Sequence, residues 1–191
     1  CTSLKNIEWG KSLKYIKEYA FTNCTSLTSI TIPDTVEKIE KGTFCNDSSL
    51  EKIELSKMLT ELGYRMFYNC DALTAIKIPD SVTDLGKEIF YDCDTLTDVK
   101  LGTGINKIPD SAFEDCDKLA FIVLPYRVES IGNYAFKNDV ALTEVTIPRA
   151  TTSISSSAFS YFDKMTIYGI PGTYAETYAK ENGIKFVAKD V

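Results

Sequence analysis

Hydrophobic residues return along this chain at a fixed interval of 23 positions. Counting from Cys1, Cys24, Asp47, Cys70, Cys93, Cys116 and Asp139, seven units follow one another without insertion or deletion. The fourth position is leucine throughout, from Leu4 to Leu142, and the seventh is isoleucine or valine, from Ile7 to Val145. The ninth is apolar from Trp9 to Ile147, and the sixteenth is isoleucine or leucine from Ile16 to Ile154. The twenty-first is phenylalanine every time: Phe21, Phe44, Phe67, Phe90, Phe113, Phe136 and Phe159.

These columns predict the local structure. Positions seven and nine alternate with polar neighbours, the period of a half-buried strand. Position ten is proline in four units (Pro33, Pro79, Pro125, Pro148) and glycine in two (Gly10, Gly102), so the strand should end there and the chain turn. Positions thirteen and sixteen carry the chain across the back of a coil, often with glycine next (Gly63, Gly86, Gly132). Ala-Phe, or Met66-Phe67 and Ile89-Phe90, then closes the coil with a short helical turn. One such coil cannot bury its own apolar side chains. Stacked coils set like on like, with neighbouring strands about 4.8 Å apart. The expected fold is an α/β repeat solenoid: a right-handed coil with a parallel sheet face, short helical turns opposite, and gentle curvature.

The C-terminal end reads differently. Met165-Thr-Ile-Tyr168 is a shortened strand, and Gly169-Ile-Pro-Gly172 a turn. Thr173-Tyr-Ala-Glu176 has capping-box spacing and should open a helix of roughly ten residues. Asn182-Gly183 can stop that helix, and Ile184-Lys-Phe-Val187 is a last strand. Residues 1–161 are thus expected to be the repeats and 162–191 a cap, in a single continuous domain. The chain opens inside a repeat, which would leave Leu4, Ile7 and Trp9 along an uncapped sheet edge. Residues preceding Cys1 in a longer protein are expected to cover that edge; association through it is the alternative.

Composition narrows the function. The net charge is −6, so nucleic acid and anionic lipid are poor partners, and no segment has the length and apolarity of a membrane span. There is no histidine, no nucleophile elbow and no glycine loop to cradle phosphate, so neither an enzyme nor a cofactor is expected.

Chemistry-bearing residues mostly fall in the repeat's own columns. Five of the six cysteines occupy position one; stacked side by side, their Cβ vectors would run parallel at the strand spacing. Free buried thiols are expected rather than a disulfide or metal ladder. Cys1 is in register with the others and so is read as a repeat cysteine, not a lipidated terminus. Asp71, Asp92, Asp94, Glu114, Asp115 and Asp117 line the coil junctions. Asp92, Asp94, Asp115 and Asp117 are the weak metal candidates, for calcium. The competing reading has Asn or Asp at position twenty-three bonding the turn backbone. Asn23-Cys-Thr25 and Asn46-Asp-Ser48 match the glycosylation sequon, again from repeat columns.

Positions six and eight should face outward from the sheet. Most are polar, but Phe121 and Val123 form an apolar pair, with Lys77 and Lys100 in the neighbouring units. An exposed apolar pair flanked by charge is a contact patch for a protein partner. Tyr68 and Tyr91, in variable columns of the outer turns, are further contact candidates.

The pattern Cys-x-x-Leu-x-x-Ile-x-Ile-Pro followed by Val-x-x-Ile-Gly-x-x-Ala-Phe resembles the BspA-like, treponemal-type leucine-rich repeat family. Residues 24–46 and 116–138 match it most closely, and the resemblance covers essentially the whole chain. It implies a cell-surface or secreted protein of host-associated bacteria, with adhesion to a host extracellular or cell-surface protein. A rigid spacer presenting another domain is the alternative role, and calcium-dependent ligand binding on the acidic ridge a remote one.

Overall fold

In the computed structural model, which describes residues 1–161 and 164–190, the 23-residue units are stacked coils crossed by parallel pairings in constant register. The first two residues expected in the cap, 162 and 163, and the last, 191, lie outside the described residues. Coils are numbered 1 to 7 from the seven starts above. On the front face, positions six to eight form β2 (Ser29–Thr31), β4 (Lys52–Glu54), β6 (Ala75–Lys77), β8 (Asp98–Lys100), β10 (Phe121–Val123) and β12 (Glu144–Thr146). Two longer strands, β14 (Thr166–Gly169) and β15 (Lys185–Ala188), continue this face. Seven two-residue strands make a rear ladder at positions fifteen and sixteen: β1 (Tyr15–Ile16), β3 (Lys38–Ile39), β5 (Glu61–Leu62), β7 (Asp84–Leu85), β9 (Lys107–Ile108), β11 (Ser130–Ile131) and β13 (Ser153–Ile154). The sequence reading did not anticipate that rear ladder.

The third side of each coil is the ridge, positions nineteen to twenty-three. The helical turn expected there is a succession of tight turns, such as Thr22 N–H to Tyr19 O and Cys24 N–H to Phe21 O. Helix cannot form because the backbone is left-handed at two points of each turn from coil 1 to coil 6. Asn23, Asn46, Asn69, Asp92, Asp115 and Asn138 have φ of 55 to 64°. So do residues with no glycine-like signature at position nineteen: Tyr19, Arg65, Glu88 and Tyr134 at 54 to 58°. Asn and Asp tolerate that region, which explains position twenty-three better than a bond to the turn does. Their amides instead pair along the stack, Asn69 Nδ2 to Asn46 Oδ1 at 3.1 Å and Asn138 Nδ2 to Asp115 Oδ1 at 2.8 Å.

The ridge is where the coils are most uniformly joined. From coil 1 to coil 6, the N–H groups of positions nineteen, twenty-one and twenty-three each donate to the next coil, as Arg65, Phe67 and Asn69 do to Lys87, Ile89 and Tyr91 at 3.1, 2.9 and 2.8 Å. Beneath these bonds the phenylalanine rings stack from Phe21 to Phe159, with centroids 5.2 to 5.8 Å apart and planes within 17°. Phe44, Phe67, Phe90, Phe113 and Phe136 are fully buried. Offset stacking at this distance adds to the area each ring removes from water.

The two sheet ladders, by contrast, are interrupted and out of phase. The front strands pair as β2–β4, β6–β8 and β10–β12–β14–β15; the rear strands pair as β1–β3, β5–β7 and β9–β11–β13. Coils 2 and 3 are therefore joined in front and open behind, coils 3 and 4 the reverse, and so on until coils 6 and 7, which are joined on both. Position ten accounts for the front pattern. Proline there restricts the preceding residue to an extended backbone. Ile32, Ile78, Leu124 and Ile147 precede prolines, and their N–H groups reach Glu54, Lys100, Thr146 and Tyr168 carbonyls at 2.8 to 3.0 Å. Trp9, Leu55 and Leu101 precede Gly10, Ser56 and Gly102; they make no such bond and stay only partly buried. Coil 1 forms no front strand, but Leu4, Ile7 and Trp9 are half-buried rather than bare, and Trp9 Nε1 donates to Thr31 O at 2.8 Å.

At the other end, helix α1 (Tyr174–Glu181) packs against β14 and β15, burying Ala175, Tyr178 and Ala179. It is shorter than expected, and its opening is not the full capping box. Glu176 accepts from Gly172 N–H at 2.7 Å, while the Thr173 hydroxyl donates backwards to Ile170 O at 2.7 Å. Asn182 ends the helix, with Gly183 left-handed at φ 68°.

Cys1, expected to be a buried thiol, is exposed at the open end; from Cys24 onward the first-position column lies inside the stack, and all six cysteines of the chain are free. Cys70, Cys93 and Cys116 donate their thiols to the carbonyls of Phe44, Phe67 and Phe90, each at 3.1 Å. Burial holds these thiols far above their ordinary range, Cys93 at about 12, so they are inert. Asp47 and Asp139 take the same place. Each accepts from the backbone N–H of the preceding column member, Cys24 at 2.7 Å and Cys116 at 2.9 Å, and each leaves Oδ2 buried without a partner. Burial pushes Asp47 up to about 7, and burial with Asp115, Asp117 and Glu114 nearby pushes Asp139 well above the carboxylate range.

Two outcomes follow from this core. Phe90→Ala should cost about 3–5 kcal/mol, read as a lowered urea midpoint, because the emptied site is walled by rigid stacked rings. The two aspartates carry a pH dependence of definite sign. Their folded pKa values exceed the unfolded ones, so stability is highest below about pH 4 for these groups and falls as pH rises towards the folded values near 7 and above. Asp139→Asn and Asp47→Asn, which mimic the protonated acid, should raise the urea midpoint at pH 8 and leave it nearly unchanged at pH 4.

Candidate interaction surface

Strand alternation decides what the front face shows. In β10 the middle residue, Ile122, is buried in the core, so Phe121 and Val123 point outward, with 52% and 53% of their surface exposed. On one side, Phe121 stands opposite Glu144 and Val123 opposite the buried Thr146 of β12; beyond Thr146 lies Tyr168 of β14. The other neighbour is β8, whose outward residues are Asp98 and Lys100. Lys77 and Lys100 are register partners on β6 and β8. Lys100 lies 3.9 Å from Asp98 on its own strand, and Lys77 is in no ion pair among the described residues. The structure thus brings four of the expected contact residues, Phe121, Val123, Lys100 and Lys77, onto three successive front strands. Sequence reasoning missed Tyr126, exposed in the turn after β10 with the Arg127 guanidinium 5.5 Å from its ring centre.

Tyr68 and Tyr91 are elsewhere, on the ridge. Their rings stack 4.9 Å apart with planes 3° from parallel. The Arg65 guanidinium lies against Tyr64 and Tyr68, 4.9 and 4.8 Å from the ring centres. Its Nε and Nη2 both reach Glu88 Oε2 at 2.7 Å. A hydrogen bond to Asp115, with burial, raises the Tyr91 phenol to about 12. Both tyrosines are half-buried and committed to contacts within the stack, so they are less available to a partner than Phe121 and Val123.

The acidic residues crowd one another without converging on a point. Burial and the neighbouring Asp94, Asp71, Asp115 and Asp117 raise Asp92. Asp115 instead accepts from Asn138, and Glu114 pairs with Lys137 at 2.8 Å. Among the described residues no three acids or thiols are gathered as a metal would need, which leaves the calcium reading without a site there. No described helix is long and apolar enough to cross a membrane.

Stacked 23-residue coils joined by parallel ladders, with one closing helix, define a leucine-rich repeat solenoid. The family model of the BspA type leucine rich repeat region matches residues 1–97 and 85–180 in six copies, and the chain belongs to that family. Among solved structures it is similar to a leucine-rich repeat protein of Bacteroides ovatus, with 26% identity and a TM-score of 0.54 over all of this chain. The chain spans 61% of the length of that protein. A leucine-rich repeat protein of T. pallidum is 21% identical over 92% of this chain and 79% of its own, with a TM-score of 0.54. A leucine rich cell surface protein of Faecalibacterium prausnitzii is 22% identical over 94% and 76%, with a TM-score of 0.51. No curated protein matches the chain.

Proposed function

We propose that this chain is a non-catalytic protein-binding module of a cell-surface or secreted bacterial protein, and that it engages its partner through the front sheet face around Phe121 and Val123. The observation that carries this reading is the exposure of two large apolar side chains side by side on one strand. Every other front strand from β2 to β12 presents polar, charged or small residues at those places. A desolvatable apolar pair rimmed by Lys100, Asp98 and Glu144 has the make-up of an interface centre, where a few residues supply most of the affinity. A surface location is supported by the family and by the likeness to the Faecalibacterium leucine rich cell surface protein; a host extracellular protein as partner is the adhesion role the resemblance implies.

One observation favours a second role, a stiff spacer that presents another domain: the ridge ladder joins the coils without a break, as a load-bearing array needs. A single experiment separates the two. Against an array of host extracellular and cell-surface proteins, the wild-type chain should capture a ligand. Phe121→Asp with Val123→Lys should weaken that capture by about tenfold or more while leaving the melting temperature unchanged, because both side chains are already half in water. Capture of nothing, or equal capture by the substituted chain, contradicts the binding reading and favours the spacer.

A further inference from the structure

The interruption of the front ladder between coils 3 and 4 leaves more than a missing bond. Leu55 N–H, whose counterparts Ile32 and Ile78 donate to the next coil at 2.8 Å, has no acceptor among the described residues. Ser56, in the place of proline, turns its hydroxyl inward to Val36 O at 2.6 Å. The seam opens into a groove of about 720 Å³, within the range that holds a small ligand. Its apolar lining comes from Ile32, Pro33, Ile53, Leu55 and Pro79.

The polar lining shows what an occupant must bring. Glu54 is paired with Lys52 at 2.8 Å, and Asp34 accepts from Lys57 N–H at 2.9 Å. Asp80 accepts from Thr103 N–H at 2.9 Å. Lys77, by contrast, is in no ion pair among the described residues. Ser81 also lines the groove, and its Oγ is buried with no hydrogen-bond partner. The unanswered demands are therefore an acceptor for Leu55 N–H, a direct ionic partner for Lys77, whose charge is felt by Asp80 without pairing with it, and an aliphatic group for the floor. Among the described residues no aromatic side chain lines the groove, so a sugar ring would find no stacking platform.

An extended peptide meets all three demands at once: its carbonyls and amides pair with backbone, its alternate side chains enter a pocket, and a carboxylate supplies the charge. We propose that this groove docks an extended segment of the partner protein, an aliphatic residue flanked by acidic ones. The inference rests on the protein-binding reading and adds a second contact to it, since Lys77, Lys100 and Val123 follow one another in the eighth-position column of the same face.

The test uses the whole chain, labelled with nitrogen-15, and the blocked pentapeptide acetyl-Glu-Val-Leu-Glu-Gly-amide, with a second peptide carrying lysine for both glutamates. The acidic peptide should shift the Leu55 amide saturably, with companion shifts at Lys77 and Ser81, and the lysine peptide should not. Lys77→Glu should weaken binding by about tenfold. The groove is overturned if millimolar peptide leaves Leu55 unmoved, if the shifts centre on Phe121 instead, or if both peptides bind alike. Binding at Leu55 that survives the Phe121 and Val123 substitutions supports the groove on its own, whatever the protein array returns. Array capture without any shift at Leu55 keeps the broader reading and rejects the groove.

Discussion

The ridge, with its stacked phenylalanines and the backbone bonds above them, is the constraint on which the rest depends. Each coil reaches its neighbour there through the N–H groups of the same positions, at 2.8 to 3.1 Å from Tyr19 to Phe136. A coil has little other local structure: its strands are two or three residues long, too short to be stable alone. The ring column supplies the apolar burial, and the left-handed residues at positions nineteen and twenty-three aim the amides along the stack. Left-handed backbone costs about 1–2 kcal/mol at a residue such as Tyr19, Arg65 or Glu88, so the stack must offset it at nearly every turn.

Because the ridge fixes spacing and register, the two sheet ladders need not be complete. From coil 1 to coil 6 each boundary is joined on one ladder and open on the other, front and rear by turns. The front openings fall where proline is absent from position ten, and at the rear Pro109 has no N–H to offer between coils 4 and 5. The outward positions of the front face are released from most structural duty. Phe121, Val123 and Lys77 can therefore be exposed at little cost to the fold, and the seam beside Leu55 can carry unpaired polar groups. Cross-coil ion pairs such as Lys14–Glu37 and Lys87–Asp110, both at 2.7 Å, lie mostly in water and add little beyond register.

Much of this was legible in the residues themselves. The 23-residue period, the front strands, the buried thiol column and the closing helix all follow from apolar spacing and turn residues. So does the exposure of Phe121 and Val123, which is simple alternation around Ile122. The rear ladder was not legible, since Lys38–Ile39 or Ser130–Ile131 is too short to show a period. Nor was the left-handed ridge, because tyrosine, arginine and glutamate carry no signal for that conformation. The prolines were visible but read only as stops; their effect on the residue before them decides which coils pair in front. Tyr68 and Tyr91 looked like free surface aromatics because their stacking and the Arg65–Glu88 pairing exist only once coils are superposed.

Residue-resolved amide hydrogen exchange on the native chain tests the central claim most directly. If the ridge holds the stack, the amides of Phe44, Phe67, Phe90 and Phe113 should exchange slowest and with similar free energies, through large-scale opening alone. On the front face, Ile32, Ile78 and Leu124 should be protected and Leu55 and Leu101 should exchange readily. Ridge amides that exchange faster than the front strands, or Leu55 and Leu101 as slow as Ile78, would contradict the account.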